Sequence, residues 1–451
     1  LHLSLRRQRQ MCIRDRQRCN VDKIKLTGLD IKDIPIAEEC SVLNTPFSVY
    51  SKTVRNRIVF QPMEGADGEL SGAPGELTKR RYTRFAKSGA GIIWVEAVAV
   101  CNDGRANPHQ LCLNEETVED FKNLVSMIKE TAQLKFGWEP LVIMQATHSG
   151  RQSRPTDKPE PIYAYHNDIF EKTRPMGEGS HLITDEECDA LGEKYYKATI
   201  LAAQCGFDGV DVKCCHGYLI SEFLSARNRE GRYGGSLENR TRLYFSCFEN
   251  AKRAADETGV FLTTRLGVYE GFEYPWGFGV SKDGGLDFDM EEPVWVVEQL
   301  KKRFGVELIN ITIGNPYVNP NVNRPYNGCE FEDPYTGVAR IAAVTKAMQK
   351  AFPDITFVLS GTTFLMEQSL NYAAAMVRDY GVQLAGFGRM TFAYPEFWED
   401  YLENGYIERK KCCIACGKCT QMMRSGGVAG CPVRDREVYT PLYKEYFKVG
   451  K

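Results

Sequence analysis

The stretch Gly206–Ser225, GFDGVDVKCCHGYLISEFLS, decides the fold. It contains a short apolar run, Gly209–Cys215, which ends in polar residues and leads into a loop. Seven similar runs occur at Arg57–Pro62, Gly91–Ala97, Leu141–Ala146, Phe261–Gly267, Leu308–Gly314, Thr356–Gly361 and Val382–Arg389. A helical pattern separates most of these runs. Strands that alternate with helices predict a parallel sheet, and eight such repeats predict that the sheet closes into a barrel.

The composition limits the classes of function that need consideration. The chain of 451 residues is 43% hydrophobic and 26% charged, which is ordinary for a globular protein with a large core. Its formal net charge of −2 argues against general nucleic-acid binding, which needs a basic field. No apolar run approaches the ~20 residues of a membrane-spanning helix, so no membrane association is expected. The 16 cysteines are too scattered for a secreted disulfide framework, which favours a cytoplasmic location.

Three regions are expected along the chain. Residues 1–20 show no helix or strand periodicity and lack the apolar segment of a secretory signal, so we interpret them as a disordered or artefactual tail. Residues 40–400 form the barrel, and Thr45–Ser51 contributes to a short hairpin that closes its bottom. Residues 401–451 form an extension rich in cysteine. The predicted fold class is therefore α/β, a (β/α)8 TIM barrel with a C-terminal cysteine-rich extension.

Barrels of this kind place their chemistry at the C-terminal ends of the strands. The residues at these ends that become candidates are Gln145, Lys213, Arg265, Gly361 and Arg389. The last two strands end in Ser360–Gly361 and Gly386–Arg389, where glycine lets backbone N–H groups approach a phosphate. Arg389 would add a charge-assisted contact to that phosphate. The alternative is that these glycines only form tight turns.

Alternation along the run Gly209–Cys215 gives direction to its side chains. Because successive side chains point to opposite faces, Asp211 and Lys213 should point into the barrel while the two valines face the helices. His216 and Tyr218 follow at the start of the next loop. A cation, an imidazole and a phenol at a barrel mouth indicate anion binding and proton transfer. The alternatives are a structural role for His216 and, for Arg265, a salt bridge inside the barrel.

Several segments carry a family resemblance when taken together: VRNRIVFQPM (54–63), QATHSGR (145–151), GFDGVDVKCCHGYLISEFLS (206–225), YGGSLENRTR (233–242), TTRLG (263–267) and GFGRM (386–390). In this order they resemble the old yellow enzyme family, the NADH:flavin oxidoreductases. The most similar branch contains 2,4-dienoyl-CoA reductase and trimethylamine dehydrogenase. The resemblance extends over roughly residues 40–435.

The resemblance implies FMN at the barrel mouth. By motif position, the residues that would line or hold FMN are Pro62, Met63, Ala97, Gln145, Arg265, Gly361, Gly388 and Arg389. Tyr218 lies where the dienoyl-CoA reductase branch has its proton-donating tyrosine. Lys213 and His216 lie where the family has a pair that hydrogen-bonds a substrate carbonyl. Two positions depart from the pattern, because many members have histidine in place of Lys213, and Glu64 replaces the Thr, Cys or Ala that is common beside the flavin.

The extension contains a compact group of cysteines. Cys413, Cys416 and Cys419 are each separated by two residues, and Cys431 is followed by Pro432. Three closely spaced thiols plus a remote Cys-Pro are typical of an iron–sulfur site, and the resembled branch carries a 4Fe–4S cluster directly after its barrel. Cys412 is an alternative first ligand. A zinc site, which usually pairs two CxxC segments, and unligated thiols remain as alternatives to the cluster.

The predicted function is FMN-dependent reduction of an activated C=C bond in a small unsaturated carbonyl compound, enoate or thioester. Hydride would pass from flavin N5 to the β-carbon, and Tyr218 would protonate the α-carbon. The alternatives are a flavin-dependent amine dehydrogenase or desaturase, an electron-transfer flavoprotein subunit, and an aldolase-type barrel with Lys213 as a Schiff base. The sequence contains no GxGxxG, so electrons are expected from an external electron-donor protein or from NAD(P)H bound over the flavin. Formation of a homo-oligomer is left open.

Overall fold

Eight parallel strands form a closed barrel in a computed structural model, which describes residue 26 and residues 28–448. All eight predicted runs contribute to it, and the predicted tail at residues 1–20 lies outside the described residues. The barrel strands are β3 (Ile58–Phe60), β4 (Ile92–Ala99), β5 (Leu141–Thr147), β8 (Gly209–Val212), β9 (Phe261–Gly267), β10 (Leu308–Thr312), β11 (Thr356–Leu359) and β12 (Leu384–Phe387). Each strand pairs with the next one named, and β12 pairs with β3 to close the barrel. The (β/α)8 prediction is confirmed.

Helices follow the barrel strands and cover the outside of the barrel. The α-helices are Glu76–Ala86, Val118–Phe136, Asp168–Thr173, Asp185–Gln204, Leu219–Phe223, Leu237–Arg240, Arg242–Thr258, Glu291–Phe304, Pro320–Asn323, Pro334–Ala351, Ser369–Tyr380, Arg389–Ala393, Phe397–Asn404, Lys418–Arg424 and Tyr439–Phe447. Short 3-10 helices occur at Ile31–Asp33, Ser41–Asn44, Asn102–Gly104, Gly150–Gln152 and Thr362–Gln368. In the part of the chain that the structure describes, none of the helices combines the length and the apolar character needed to cross a membrane.

The hairpin expected around Thr45–Ser51 closes the N-terminal end of the barrel. Its strands β1 (Phe47–Val49) and β2 (Lys52–Val54) pair antiparallel. At its tip the Tyr50 hydroxyl donates to the Leu262 carbonyl at 2.5 Å and accepts from the Glu307 amide at 2.8 Å. Val49 and Val54 join an apolar cluster that fills the lower barrel. Burial of each such side chain contributes about 1.5–3 kcal/mol, so this end of the barrel is a packed core.

The upper half of the barrel contains polar side chains. Asp211 points inward as predicted and accepts a hydrogen bond from the Trp94 indole at 2.9 Å, whereas Val210 and Val212 pack against the outer helices. Strand β8 ends at Val212, but the Lys213 N–H still donates to the Ala146 carbonyl at 3.2 Å and Cys214 still bridges to Leu266 of β9. The chain leaves the sheet near His216, whose φ is +67°, which places Lys213 at the end of the ladder close to the predicted end of the run.

The C-terminal extension packs across the barrel mouth. The Ala429 amide donates to the Gly65 carbonyl at 2.6 Å, and the Asn327 side chain donates to the Ile414 carbonyl at 3.1 Å. Asp435 is nearly buried and forms an ion pair with Arg80 at 2.7 Å. These contacts bring the cysteine-rich segment to the catalytic end of the barrel. A further short parallel sheet, β6 (Ile162–Tyr163) and β7 (His181–Leu182), lies in the long loop after β5.

Candidate active site

A cleft that is partly open to solvent lies at the C-terminal end of the barrel. Loops after several strands contribute its walls, and the C-terminal extension contributes one side. All eleven predicted catalytic and cofactor-binding residues line it: Pro62, Met63, Ala97, Gln145, Lys213, His216, Tyr218, Arg265, Gly361, Gly388 and Arg389. The fold thus brings into one cleft residues that are more than 300 positions apart in the sequence.

One wall of the cleft is organised by Asp211. Its carboxylate accepts from the Gln145 amide at 2.6 Å and from the Arg265 backbone N–H at 2.6 Å. Burial raises the pKa of Asp211 to about 6. The Arg265 Nε is buried and makes no hydrogen bond with the described residues, and burial lowers the pKa of this guanidinium. An unpaired buried donor lowers the stability of the fold by about 1–3 kcal/mol. This N–H is therefore available to a hydrogen-bond acceptor on a bound ligand.

The opposite end of the cleft is formed by glycines. Gly361 has φ +77°, and a Cβ there would lie 2.4 Å from the Ile341 Cδ1. A Cβ on Gly388 would lie 3.2 Å from the Met63 sulfur. Gly361 is required by its positive φ and by the close approach of Ile341, whereas Gly388 leaves its backbone open beside Met63, which lines the cleft. This is the arrangement that a phosphate requires for contact with backbone N–H groups.

Three arginines surround this glycine end. Arg389 donates to the Pro325 carbonyl at 3.1 Å, and Arg324 donates to the Thr420 hydroxyl at 2.9 Å. Arg424 donates to a backbone carbonyl as well. Burial and repulsion from the other two arginines lower the pKa of Arg324 to about 10. Since all three contacts are with neutral acceptors, the positive charge favours an anion. Sequence reasoning found only Arg389, because the other two come from a loop and from the extension.

Lys213 and His216 lie together on the wall next to Tyr218. The Lys213 Nζ is 3.5 Å from the centre of the Tyr218 ring, and burial lowers the pKa of this lysine. The His216 Nε2 lies 3.0 Å from the Asn323 amide nitrogen and 3.2 Å from the Thr312 hydroxyl, so these two groups hold one side of the ring. Burial, together with the nearby cations Arg265 and Lys213, lowers the pKa of His216 well below its usual value. His216 is therefore held as a neutral imidazole.

Tyr218 is held by a carboxyl group and a second phenol. Its hydroxyl lies 3.2 Å from the Glu64 Oε2 and 3.1 Å from the Tyr317 hydroxyl. Burial raises the pKa of Tyr218 well above its usual value and also raises the pKa of Glu64. Tyr218 thus keeps its proton. Sequence reasoning singled out Glu64 only as a departure from the family and missed Tyr317. Tyr317 follows β10 at the C-terminal end of the barrel, and this position could have identified it as a site residue.

The four predicted cluster ligands, Cys413, Cys416, Cys419 and Cys431, line one smaller cavity beside the cleft. Cys412 instead donates its thiol to the Glu408 carbonyl at 3.4 Å. The two cavities are neighbours, and the residues that line both are Arg389, Phe392 and Cys419.

A bound metal ion requires a defined spacing of its ligand atoms. Among the described residues, Cys101, Asp103 and His148 are the group of three whose ligand atoms all lie within 4.8 Å, and sequence reasoning did not find them. A tetrahedral zinc ion with Zn–S bonds of about 2.3 Å requires sulfurs about 3.8 Å apart. In the described part of the chain, the four cysteines of the extension do not form such a group, so the structure by itself does not identify a metal site there.

Comparison with known proteins identifies the family. Residues 42–314 match the NADH:flavin oxidoreductase / NADH oxidase family, which is more than half of the chain. The NADPH dehydrogenase of Bacillus cytotoxicus is 32% identical over 281 residues, covering 60% of this chain and 71% of that enzyme. The family implies FMN, and the cleft fits it. The unpaired Arg265 donor suits the polar edge of a flavin ring, and the open glycines beside three arginines suit its phosphate.

Solved structures with the same architecture cover most of this chain. A 2-naphthoyl-CoA reductase in complex with 2-naphthoyl-CoA has a TM-score of 0.70 at 18% identity, covering 90% of this chain and 58% of that chain. The old yellow enzyme homologue of Zymomonas mobilis has a TM-score of 0.61 at 19% identity, covering 82% and 94%. This chain thus spans little more than half of the first structure's length. The chain belongs to the NADH:flavin oxidoreductase / NADH oxidase family and is a flavin-dependent oxidoreductase with an old yellow enzyme barrel.

Proposed function

We propose that the protein reduces an activated C=C bond of an α,β-unsaturated carbonyl compound, enoate or thioester. The observation that carries this proposal is that the Tyr218 hydroxyl lies in the same cleft as Lys213 and His216, which we infer bind the substrate carbonyl. When bound, FMN supplies the hydride chemistry at the β-carbon. We further propose that FMN is replenished by NAD(P)H or by an electron-donor protein.

Lys213 and His216 bind and polarise the substrate carbonyl. The neutral His216 is held at Nε2 by Asn323 and Thr312, and in the tautomer with its proton on Nδ1 it would donate to the carbonyl oxygen. Lys213 adds a positively charged hydrogen-bond donor, which stabilises the negative charge as it develops on that oxygen. Such a donor is worth most where water is excluded, and the Lys213 side chain is nearly buried. A substrate that develops enolate charge is therefore favoured.

Tyr218 supplies the proton for the α-carbon. Because its pKa is raised by burial, the hydroxyl stays protonated at neutral pH and transfers its proton only to a strongly basic carbon. A flavin-dependent amine dehydrogenase or desaturase would instead need a group that removes a proton from its substrate. A phenol with a raised pKa is poorly suited to that task, so reduction is favoured over oxidation.

A second cavity adjoins the cleft and favours an anionic group on the substrate. It shares Glu64 and Tyr317 with the cleft, and it is also lined by Arg154, Arg174 and Arg424. Arg154 and Arg424 donate to backbone carbonyls, which leaves their charge uncompensated in these contacts. A carboxylate or phosphate on the acceptor would bind here. The structural likeness to a reductase bound to a CoA thioester supports a thioester among the candidate acceptors.

We also propose a 4Fe–4S cluster held by Cys413, Cys416, Cys419 and Cys431. Their common cavity supports this, as does the amide of Ala415, which donates to the Cys413 sulfur at 3.4 Å. The proximity of this cavity to the cleft suits electron transfer between cluster and flavin. The same residues without a cluster would leave four thiols lining a small cavity beside the active site.

A panel of enones, enoates and unsaturated thioesters tests the proposed function. Tyr218→Phe should retain FMN but slow acceptor reduction by about 10²-fold or more, the scale of a positioned acid. Tyr196→Phe is the matched control, because the Tyr196 hydroxyl binds Glu257 far from the cleft. The proposal is contradicted if no acceptor reoxidises the reduced flavin, and flavin reduction by amines would establish a dehydrogenase instead.

A further inference from the structure

Glu64 occupies a position between the reaction cleft and solvent. It follows Met63 at the end of β3, and its Oε2 lies 3.2 Å from the Tyr218 oxygen. Its other oxygen, Oε1, is buried and makes no hydrogen bond with the described residues. The side chain lines both the cleft and the second cavity. We propose that Glu64 is the proton reservoir of Tyr218, holding a proton and passing it to the Tyr218 oxygen during each turnover. This inference rests on the proposed function.

The hydrogen-bond geometry makes the protonation state of Glu64 decisive. An ionised Glu64 only accepts, so it would attract the single Tyr218 proton away from the substrate. A protonated Glu64 donates to the Tyr218 oxygen instead, which leaves the Tyr218 proton free to point into the cleft. Tyr317, at 3.1 Å, completes the surroundings of the same oxygen. Tyr218 is therefore a competent acid only while Glu64 carries its proton.

The surroundings of Glu64 favour the protonated form. Burial raises its pKa, against the opposing effects of the Lys213 cation and the Tyr218 hydrogen bond. The charged or titratable groups nearest to it are Lys213 after β8, Tyr218 in the following loop, Tyr317 after β10, and Glu96 in β4. Across the second cavity it also faces His109, Arg154, Asp157, Arg174 and Arg424. The three arginines there act against protonation. Glu96 and Glu64 repel each other when both are ionised, which also favours a proton on one of them.

The proposed step balances as two proton transfers. The Tyr218 O–H bond breaks as a C–H bond forms at the α-carbon, using the electron pair of the substrate enolate. The Glu64 O–H bond then breaks as the Tyr218 O–H bond forms again. Glu64 regains its proton from water in the second cavity, which includes exposed residues such as Asp157 and Gly426. No electron changes hands in the relay itself.

The change Glu64→Gln tests the relay, because glutamine keeps the shape and a donor N–H but cannot release a proton. In wild type, acceptor reduction should fall as pH rises through the raised pKa of Glu64, whose neutral form is required. Glu64→Gln should lose that pH dependence and slow acceptor reduction by up to about 10²-fold. Glu69→Gln, an exposed carboxylate on the same segment, is the control and should match wild type.

An infrared measurement gives a readout that needs no substrate. The wild-type minus Glu64→Gln difference spectrum should contain a protonated carboxyl band at neutral pH, and the band should disappear at higher pH. Absence of the band, or a Glu64→Gln pH profile identical to wild type, overturns the relay. These outcomes are distinct from failure of the proposed function, which would show as no acceptor reduction by wild type at all.

Discussion

Gly361→Ala should damage FMN binding much more than an equivalent change elsewhere. At φ +77°, an alanine costs about 1–2 kcal/mol through backbone strain alone. Its Cβ would also lie 2.4 Å from the Ile341 Cδ1, far inside normal carbon contact. Ile341 is buried in the helix Pro334–Ala351, so its side chain or the glycine backbone must shift to accept the added Cβ. Overpacking of this kind adds about 1–3 kcal/mol.

The total of about 2–5 kcal/mol has to be relieved by displacement of the backbone that would contact the phosphate. Each 1.4 kcal/mol or so of lost binding weakens affinity tenfold, so if about 1.4–2.8 kcal/mol of this total is lost from the complex, FMN should bind about 10- to 100-fold more weakly. Titration of the apoprotein with FMN, followed by quenching of flavin fluorescence, measures the dissociation constant. Urea unfolding of the same variants measures the stability cost separately.

Gly381→Ala is the matched control. Gly381 has φ +71°, but no atom lies within 4 Å of an added Cβ. This variant should be destabilised only by the backbone strain and should retain normal FMN affinity. Ile341→Val in the Gly361→Ala background removes the clashing Cδ1 and should restore part of the affinity. Equal FMN affinity of Gly361→Ala and Gly381→Ala would refute the phosphate cradle.

Two further predictions concern the substrate and the cluster. Lys213→Ala should weaken reduction of carboxylate-bearing acceptors more than FMN retention, and Lys213→His should shift preference toward neutral enones; an unchanged ranking of acceptors in steady-state assays would contradict this. Anaerobically prepared protein should contain about four irons and four acid-labile sulfides per chain, and Cys416→Ser should lose them. Cys412→Ser is the control and should keep them, because its thiol is engaged by Glu408; one zinc without sulfide in wild type would contradict the cluster.

The barrel and most of its mouth were predictable from local patterns. The alternation around Asp211 fixed which side chains point inward, because a strand has a strict period of two. The rule that barrel loops carry chemistry then placed Gln145, Arg265 and Gly361 at one end before any tertiary contact was known. These inferences needed only neighbours in sequence and the symmetry of the fold.

The contacts around Tyr218 were not predictable in this way. Glu64 and Tyr317 reach the Tyr218 hydroxyl from positions 154 and 99 residues away in the sequence. Their meeting depends on the conformations of three loops, which no periodicity encodes. The approach of Arg424 to the cleft has the same origin, since it requires the extension to fold back over the mouth. Tertiary packing, and not local propensity, determines these contacts.

Rapid mixing of the reduced protein with unsaturated acceptors tests the central claim most directly. The anaerobically purified protein should be yellow, release FMN on acid treatment, and lose its flavin absorbance when reduced. Mixing with an enone, enoate or unsaturated thioester should restore the absorbance and yield the saturated product. A colourless protein that cannot be reconstituted with FMN, or a flavin that stays reduced with every acceptor, would contradict the account.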